Sequence, residues 1–448
     1  MSAWLPVPTG RLAALAAGLA GVVLLAPLGA RATLGVANAA LLAAAGASWW
    51  RTPRPSVLEV RRDLPGVVPL DGHAEVAWTV TNPTRRTLRV RLADDLADSL
   101  RPTSRRADVV VPAGGTVTAR VRLGPSRRGR FSPGGITVRV SAPRGLVARQ
   151  AWRALPGELR VYPPFRSREE AELRVTRARI LDVGLRSAAG RGGGTEFDQL
   201  REYTVDDEFR RIDWAATART GKAIVRTYRA ERNQTVLCLL DTGRVMAGLV
   251  READAAGGEP GVPRLDHAMD AVMMLTAVST RLGDRAGLVA FADAVRGVVG
   301  PGHRRDQLAR VTAAMYDLDP RLVESDYRGA FAETLARFPR RALLVVLTEL
   351  AEHAVAETLL PALPLVVRHH LVVLAAVRDP EVERWARATP GEASAVYRKA
   401  AAVQALDARR RTVARLRGLG AVVVDAPPGR LAPELADAYL HAKATSRL

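Results

Sequence analysis

The chain contains one cysteine, Cys238, in 448 residues. One thiol excludes an internal disulfide framework, and its place inside the apolar run Val236-Leu237-Cys238-Leu239-Leu240 reads as a small buried hydrophobe. Lysine is almost as scarce: only Lys222, Lys399 and Lys443 stand among 66 basic residues. The formal net charge of +20 is therefore carried by arginine. An arginine bias combined with abundant alanine is what GC-rich coding produces, so part of the charge is compositional. The rest suits a protein held beside an anionic leaflet. Aromatics make up 5% of the chain. No stacking platform or nucleic-acid motif accompanies the arginines, and no nucleic acid is expected as a partner. The chain also lacks H-E-x-x-H, G-x-S-x-G, G-x-x-x-x-G-K-[ST] and any Cys/His set spaced for zinc.

What the chain does have begins with two apolar runs. Residues 12–30 are uncharged over about the length needed to cross a bilayer. After Arg31-Ala32-Thr33, residues 34–50 form a second run ending in Trp49-Trp50, a pair suited to a membrane interface. Two spans joined so tightly make a transmembrane hairpin over residues 1–54. Arg11 before it and Arg51, Arg54, Arg61 and Arg62 after it place both ends, and the soluble domains, on the cytoplasmic side of the cell membrane, with membrane lipid as a partner. The competing reading is a cleaved signal peptide with Arg11 as its charged region and a site near Gly29-Ala30-Arg31-Ala32.

From Val57 to about Ala142 the pattern becomes short segments of period-two alternation, such as HAEVAWTVTN and TVTARVRL, separated by Pro/Gly turns. Five or six such strands argue a small antiparallel, immunoglobulin-like β-sandwich over residues 55–160, without a cluster of catalytic residue types. Residues 161–235 hold a charged helix or linker, the glycine loop Gly190 to Gly194 and a charge-dense segment. The glycine loop lacks the preceding strand, the following helix and the Lys-Ser/Thr that a phosphate loop needs. Over residues 236–448, continuous apolar strands alternate with helices, which means a doubly wound parallel α/β sheet. Asp241 ends the first of those strands, where ligands of open α/β sheets collect. Capping the next turn is the plain alternative for it.

The segment GTEFDQLREYTVDDEFRRIDWAATARTGKAIVRTYRAE resembles the signature of the bacterial domain-of-unknown-function 58 family, in Glu196-Phe197, Leu200-Arg201-Glu202-Tyr203, Asp206-Asp207, Arg210, Ile212-Asp213-Trp214, Arg219 and Glu231. The charges beside Tyr203 and Trp214 read as an ion network that fixes a loop, or as a partner surface. A catalytic acid/base pair is the alternative.

The segment C-terminal to the signature is similar to a von Willebrand factor A-like domain, whose first strand ends in a D-x-S-x-S metal motif. Here the motif reads Asp241-Thr242-Gly243-Arg244-Val245, so the Asp is kept and both serine positions are changed. Ser325 or Asp326 stands where that family places a Thr, and Glu349 where it places an Asp. With Asp241, the resemblance implies, Ser325 and Glu349 offer an oxygen-rich Mg2+ site of degenerate form. The resemblance further implies a non-catalytic, membrane-anchored adaptor or assembly factor. It would work with a MoxR-type AAA+ ATPase in maturing or activating envelope proteins, with Asp241 and the signature as the partner surface. The alternative is a metal-dependent enzyme of unknown substrate that uses the strand-tip acidic site.

Overall fold

The computed structural model describes residues 5–25, 30–188, 196–204, 209, 212–229, 234–251, 261–352 and 355–445. The chain divides into two compact units, Met1–Tyr162 and Pro163–Leu448.

In the first unit, alternating strands build three small sheets. The five-stranded sheet sets Leu5–Pro8 at one edge, against Val147–Ala154, followed by Gly135–Ser141, Leu88–Asp94 and Arg106–Val111, all antiparallel. Ala74–Thr81 pairs with Glu59–Asp63 on one side and Thr116–Leu123 on the other. Every second residue of Ala74–Thr81 faces inward, and Val76, Trp78 and Val80 are buried in one apolar cluster with Leu88, Val90 and Leu92. This is the period-two burial that half-covered antiparallel strands require.

A polar trio lies within that core. Asp94 Oδ2 accepts from Trp78 Nε1 at 2.5 Å, and its Oδ1 pairs with Arg62 Nη1 at 2.5 Å. The Arg62 side chain is buried, so this arginine serves the sandwich and is not a charge offered to a leaflet.

Two helices, Gly10–Leu25 and Ala30–Arg51, pack on each other and interrupt the sandwich between its first and second strands. The segment Arg31–Val57 contains a helix long and apolar enough to cross a membrane, and Gly10–Val23 is a shorter apolar helix. The strand Leu5–Pro8, which precedes the first helix, has no counterpart in the sequence expectation because its proline-rich tetrapeptide carries no alternation to detect.

In the second unit, six strands form one sheet in the order Val295–Gly302, Arg285–Phe291, Thr235–Asp241, Leu343–Leu347, Leu371–Val377, Val422–Ala426. By position in the chain this is 3-2-1-4-5-6, the doubly wound order. Five strands run parallel, and Val295–Gly302 is antiparallel to its neighbour. That edge hairpin was not expected, since its glycines and proline hide a strand pattern.

The central strand is covered on both faces. Val236, Cys238 and Leu240 join a core with the helix Arg264–Arg281 and the helix Leu431–Ala444, while Leu237 and Leu239 join the opposite core with Tyr327 and Phe331. Each fully buried aliphatic side chain contributes roughly 1.5–3 kcal/mol. Burial pushes the Cys238 thiol up to about 12, so it stays protonated. The helix Arg168–Ala188 places Ala171 and Val175 in the first of these cores, so it is part of the α/β unit rather than a solvated linker. Beyond Leu347, a five-residue π-turn, Val355–Leu359, is followed by the short helical turns Leu360–Ala362 and Pro364–Val367, each with a proline in its first positions.

Inside the helix Arg264–Arg281, which is buried along most of its length, His267 is 8% exposed. Burial, then the charges of Arg166 and Arg264, lower its pKa to about 4. The folded state holds it neutral while an unfolded chain protonates it near 6.5, so stability is lost as pH falls from about 6.5 to about 4. The full shift corresponds to about 3 kcal/mol. We expect the denaturant midpoint, followed by trapping of the Cys238 thiol with dithiodipyridine, to fall across that window and to flatten in His267→Gln. An unchanged slope in the variant would remove His267 as the cause.

Candidate functional site

The switch point of the sheet lies between Thr235–Asp241 and Leu343–Leu347, the two neighbours from which the chain winds in opposite directions. Ligand-binding crevices form outside the carboxyl ends of such strands. Here the crevice holds a closed hydrogen-bond cage. Asp241 is fully buried and accepts from four donors. Its Oδ1 takes the Gly243 N–H at 2.8 Å and the Ser325 hydroxyl at 2.5 Å; its Oδ2 takes the Tyr327 hydroxyl at 2.8 Å and the Thr348 hydroxyl at 2.6 Å.

The donors come from three elements: the turn after the first strand, the loop leading into the helix Tyr327–Arg337, and the residue after Leu343–Leu347. Burial and the neighbouring Asp241 carboxylate raise the Tyr327 phenol well above its usual pKa, so it remains a donor. Gly243 explains one altered motif position: a Cβ there would collide with Ser325 Oγ. A serine at 243 would require the Ser325 hydroxyl to leave its present position.

Asp326, the neighbour of Ser325, does something else. It caps the helix Tyr327–Arg337 by accepting from Gly329 N at 2.9 Å. Glu349 is also turned away from the cage. Its Oε2 lies 3.0 Å from Arg264 Nε and its Oε1 pairs with Arg409, which in turn holds Asp425 through Nη2 at 2.8 Å. Burial opposes the charge of Arg409, but Glu349 and Asp425 more than offset this and its pKa is raised. The resulting chain Asp425–Arg409–Glu349–Arg264 is alternately charged, as partly buried ions need.

Asp241 and Ser325 are thus brought together and Glu349 is not. With both Asp241 oxygens saturated and Glu349 held by two guanidiniums, these residues do not fit a divalent ion. Among the described residues, no group of three or more His, Cys, Asp or Glu is arranged to hold a metal.

The signature segment forms a separate feature, a two-stranded ribbon of Glu196–Glu202 and Ile224–Arg229 with the short helix Trp214–Thr220 between them. Glu196, Phe197 and Arg201 lie on the first strand, and Tyr203 follows it with its N–H bonded to Ala223 O at 2.8 Å. Asp206 and Arg210 fall outside the described residues. Asp213 is the keystone of the ribbon. Its Oδ1 accepts from Ala215 N and Ala216 N, both at 3.0 Å, capping the helix, while Oδ2 takes Arg226 Nε at 2.7 Å. Arg226, then the Ala216 N–H, lower the Asp213 pKa.

Trp214 points outward at 59% exposure and meets Phe209, 67% exposed, edge to face at 5.5 Å between centroids. Arg219 is exposed and bonds the backbone of its own helix at Ala215 O, 3.1 Å. Sequence reasoning missed Tyr327 and Thr348, the two donors on Oδ2, and also missed Phe209 and Arg226. Only the one-residue offset between Thr348 and Glu349 was available as a signal.

These features define an open, doubly wound α/β domain with a buried carboxylate cage at its switch point and an aromatic-tipped β-ribbon. Residues 199–386 match the family described as Protein of unknown function DUF58, which supports the resemblance for this segment of the chain. No curated protein matches.

Among solved structures, an uncharacterized membrane-spanning protein from Vibrio fischeri is 16% identical, with 48% of this chain and 99% of that one covered at a TM-score of 0.19. A proximal thread matrix protein from the mussel byssus, with a zinc-occupied MIDAS motif, is 13% identical, with 48% and 46% covered at 0.26. A CARDB domain from Pyrococcus furiosus is 14% identical, with 22% and 94% covered at 0.15. Likeness at these values carries no weight for fold or function.

Removing the Tyr327 hydroxyl leaves one lone pair of a buried carboxylate without its donor, a loss of about 1–3 kcal/mol. Thermal unfolding of Tyr327→Phe is expected at a correspondingly lower temperature, whereas Asp326→Ala loses only a helix cap worth about 1 kcal/mol. Equal stability of Tyr327→Phe and the parent chain would show that the cage does not bear on the fold.

Proposed function

We propose that the protein is a membrane-anchored, non-catalytic interaction module, an adaptor or assembly factor whose α/β unit has the von Willebrand A-like form. The antiparallel edge strand and the 3-2-1-4-5-6 order support that assignment of form. The observation that carries the interaction reading is the pair Phe209–Trp214. A tryptophan is set outward by a fully satisfied cap, Asp213, and steadied by a second exposed aromatic. Exposed aromatics held in place by buried polar groups are the anchors that dominate protein interfaces. The strand-tip carboxylate of Asp241 is filled by internal donors, which supports binding over metal-dependent turnover.

The anchor is a two-pass hairpin with the soluble units in the cytoplasm. Its support is local: Thr9, before the first helix, donates to Gly145 O and Leu146 O at 3.0 and 2.9 Å, and Ser48, near the end of the second, accepts from Leu146 N at 2.9 Å. Both ends of the helix pair are tied to the same turn of the sandwich, so the chain leaves and returns on one side. Arg149 stacks 4.4 Å over the Trp49 ring, an arrangement suited to the polar boundary of a bilayer. The partner is a MoxR-type AAA+ ATPase, in keeping with the family resemblance.

The test uses the tagged full-length protein, extracted from membranes after in-cell crosslinking. Trp214→Ala is expected to lose an AAA+ ATPase that the parent chain enriches, with an unchanged melting temperature because Trp214 is largely exposed. Equal enrichment in both, or no ATPase in either, contradicts the reading.

A further inference from the structure

The helix Ala393–Gly418 is 26 residues long, about 39 Å at 1.5 Å per residue. The strand to which it returns, Val422–Ala426, has five residues and spans about 17 Å. The helix outruns the sheet. Only Ala402, Thr412 and Leu416 are buried along it, and nothing before Ala402 is. It packs on the helix Pro380–Arg387, with Arg398 over the Trp385 ring, so the two form a helical arm with little core of its own.

On the outer face of that arm, Val396 is 52% exposed and Tyr397 78% exposed. Val396, Ala400 and Val403 recur at the spacing of one helical stripe. They line a shallow groove of about 630 Å³ together with Lys399, Asp407 and Arg411. Toward the helix C-terminus the same face becomes basic. Between Val396 and Gly418 there are seven basic residues and one acidic residue. Arg410, on this face, pairs with Asp407, and Arg411 lies 3.7 Å from Glu352.

We infer that this arm is a docking site for an amphipathic helix of a protein partner, one whose apolar edge is flanked by carboxylates. The apolar stripe supplies the seat for residues at i, i+3 or i+4 and i+7, as in other helix-in-groove complexes. The basic flanks, Lys399 and Arg411 about the groove with Arg415 and Arg417 beyond, select acidic flanks and steer their approach.

An anionic lipid surface fits less well. Asp407 lies in the groove itself, where a sheet of like charge would face it, and three short aliphatic side chains in a recess offer little for insertion. This surface is separate from the Phe209–Trp214 pair, and the inference does not rest on that reading.

The test places the photo-crosslinking residue p-benzoylphenylalanine at Val403 of the full-length protein in cells, with Leu322, 83% exposed, as the control position. Adducts are mapped to the peptide by mass spectrometry. The expected result is one partner segment with helically spaced apolar residues flanked by Asp and Glu. Its yield should fall about tenfold in Lys399→Glu/Arg411→Glu, equivalent to about 1.4 kcal/mol. Both changed side chains lie at the surface, so the variant should keep its melting temperature. Val396→Ser, which touches no charge, should lower the yield too.

Adducts to lipid or to a second copy of this chain, or to a segment without flanking carboxylates, would overturn the inference. So would a yield indifferent to all these substitutions, or no adduct above the Leu322 level.

Discussion

A buried carboxylate at the tip of the central strand is the constraint on which the α/β unit depends. Burying Asp241 without partners would cost several kcal/mol, so the fold must deliver donors to both oxygens. It does so from three separate parts of the chain, with Gly243, Ser325, Tyr327 and Thr348 all within hydrogen-bonding distance. The cage therefore locks the turn after the first strand to the start of a helix and to the neighbouring strand across the switch point. In many α/β proteins that crevice is left open for a ligand; here its polar capacity is spent internally.

The second polar system at the same edge has the opposite chemistry. Asp425, Arg409, Glu349 and Arg264 alternate in sign and tie the long helix Ala393–Gly418 to the ends of three strands and to the first residue of the central helix. Removing one member would strand a partly buried charge, which is more damaging than removing a surface pair. With the crevice closed, the chemistry left for recognition lies on projecting elements: the aromatic tip of the β-ribbon and the outer face of the helical arm.

Much of this was legible in the sequence. Apolar strands alternating with helices pointed to the doubly wound sheet, because strands covered on both faces must read as continuous hydrophobic runs. The prominence of Asp241 followed from its position after such a run, and the roles of Asp213 and Trp214 were partly visible in the signature. What could not be read was which hydroxyls would reach Asp241. Tyr327 lies 86 residues away in the chain and carries no local pattern; only the sheet order brings it near. Glu349 looked like a ligand by position, but its rotation toward Arg264 and Arg409 depends on a helix that begins far later in the chain, at Ala393. Of the arm, the helix from Ala400 onward was legible, while its first turns from Ala393 and the short helix Pro380–Arg387 were not.

Manganese titration followed by electron paramagnetic resonance on the purified chain, compared with Asp241→Asn, tests the central claim most directly. A cage whose donors fill the carboxylate predicts the spectrum of free hydrated Mn2+ in both proteins. A saturable bound signal in the parent chain that disappears in Asp241→Asn would contradict it and return the switch point to metal chemistry.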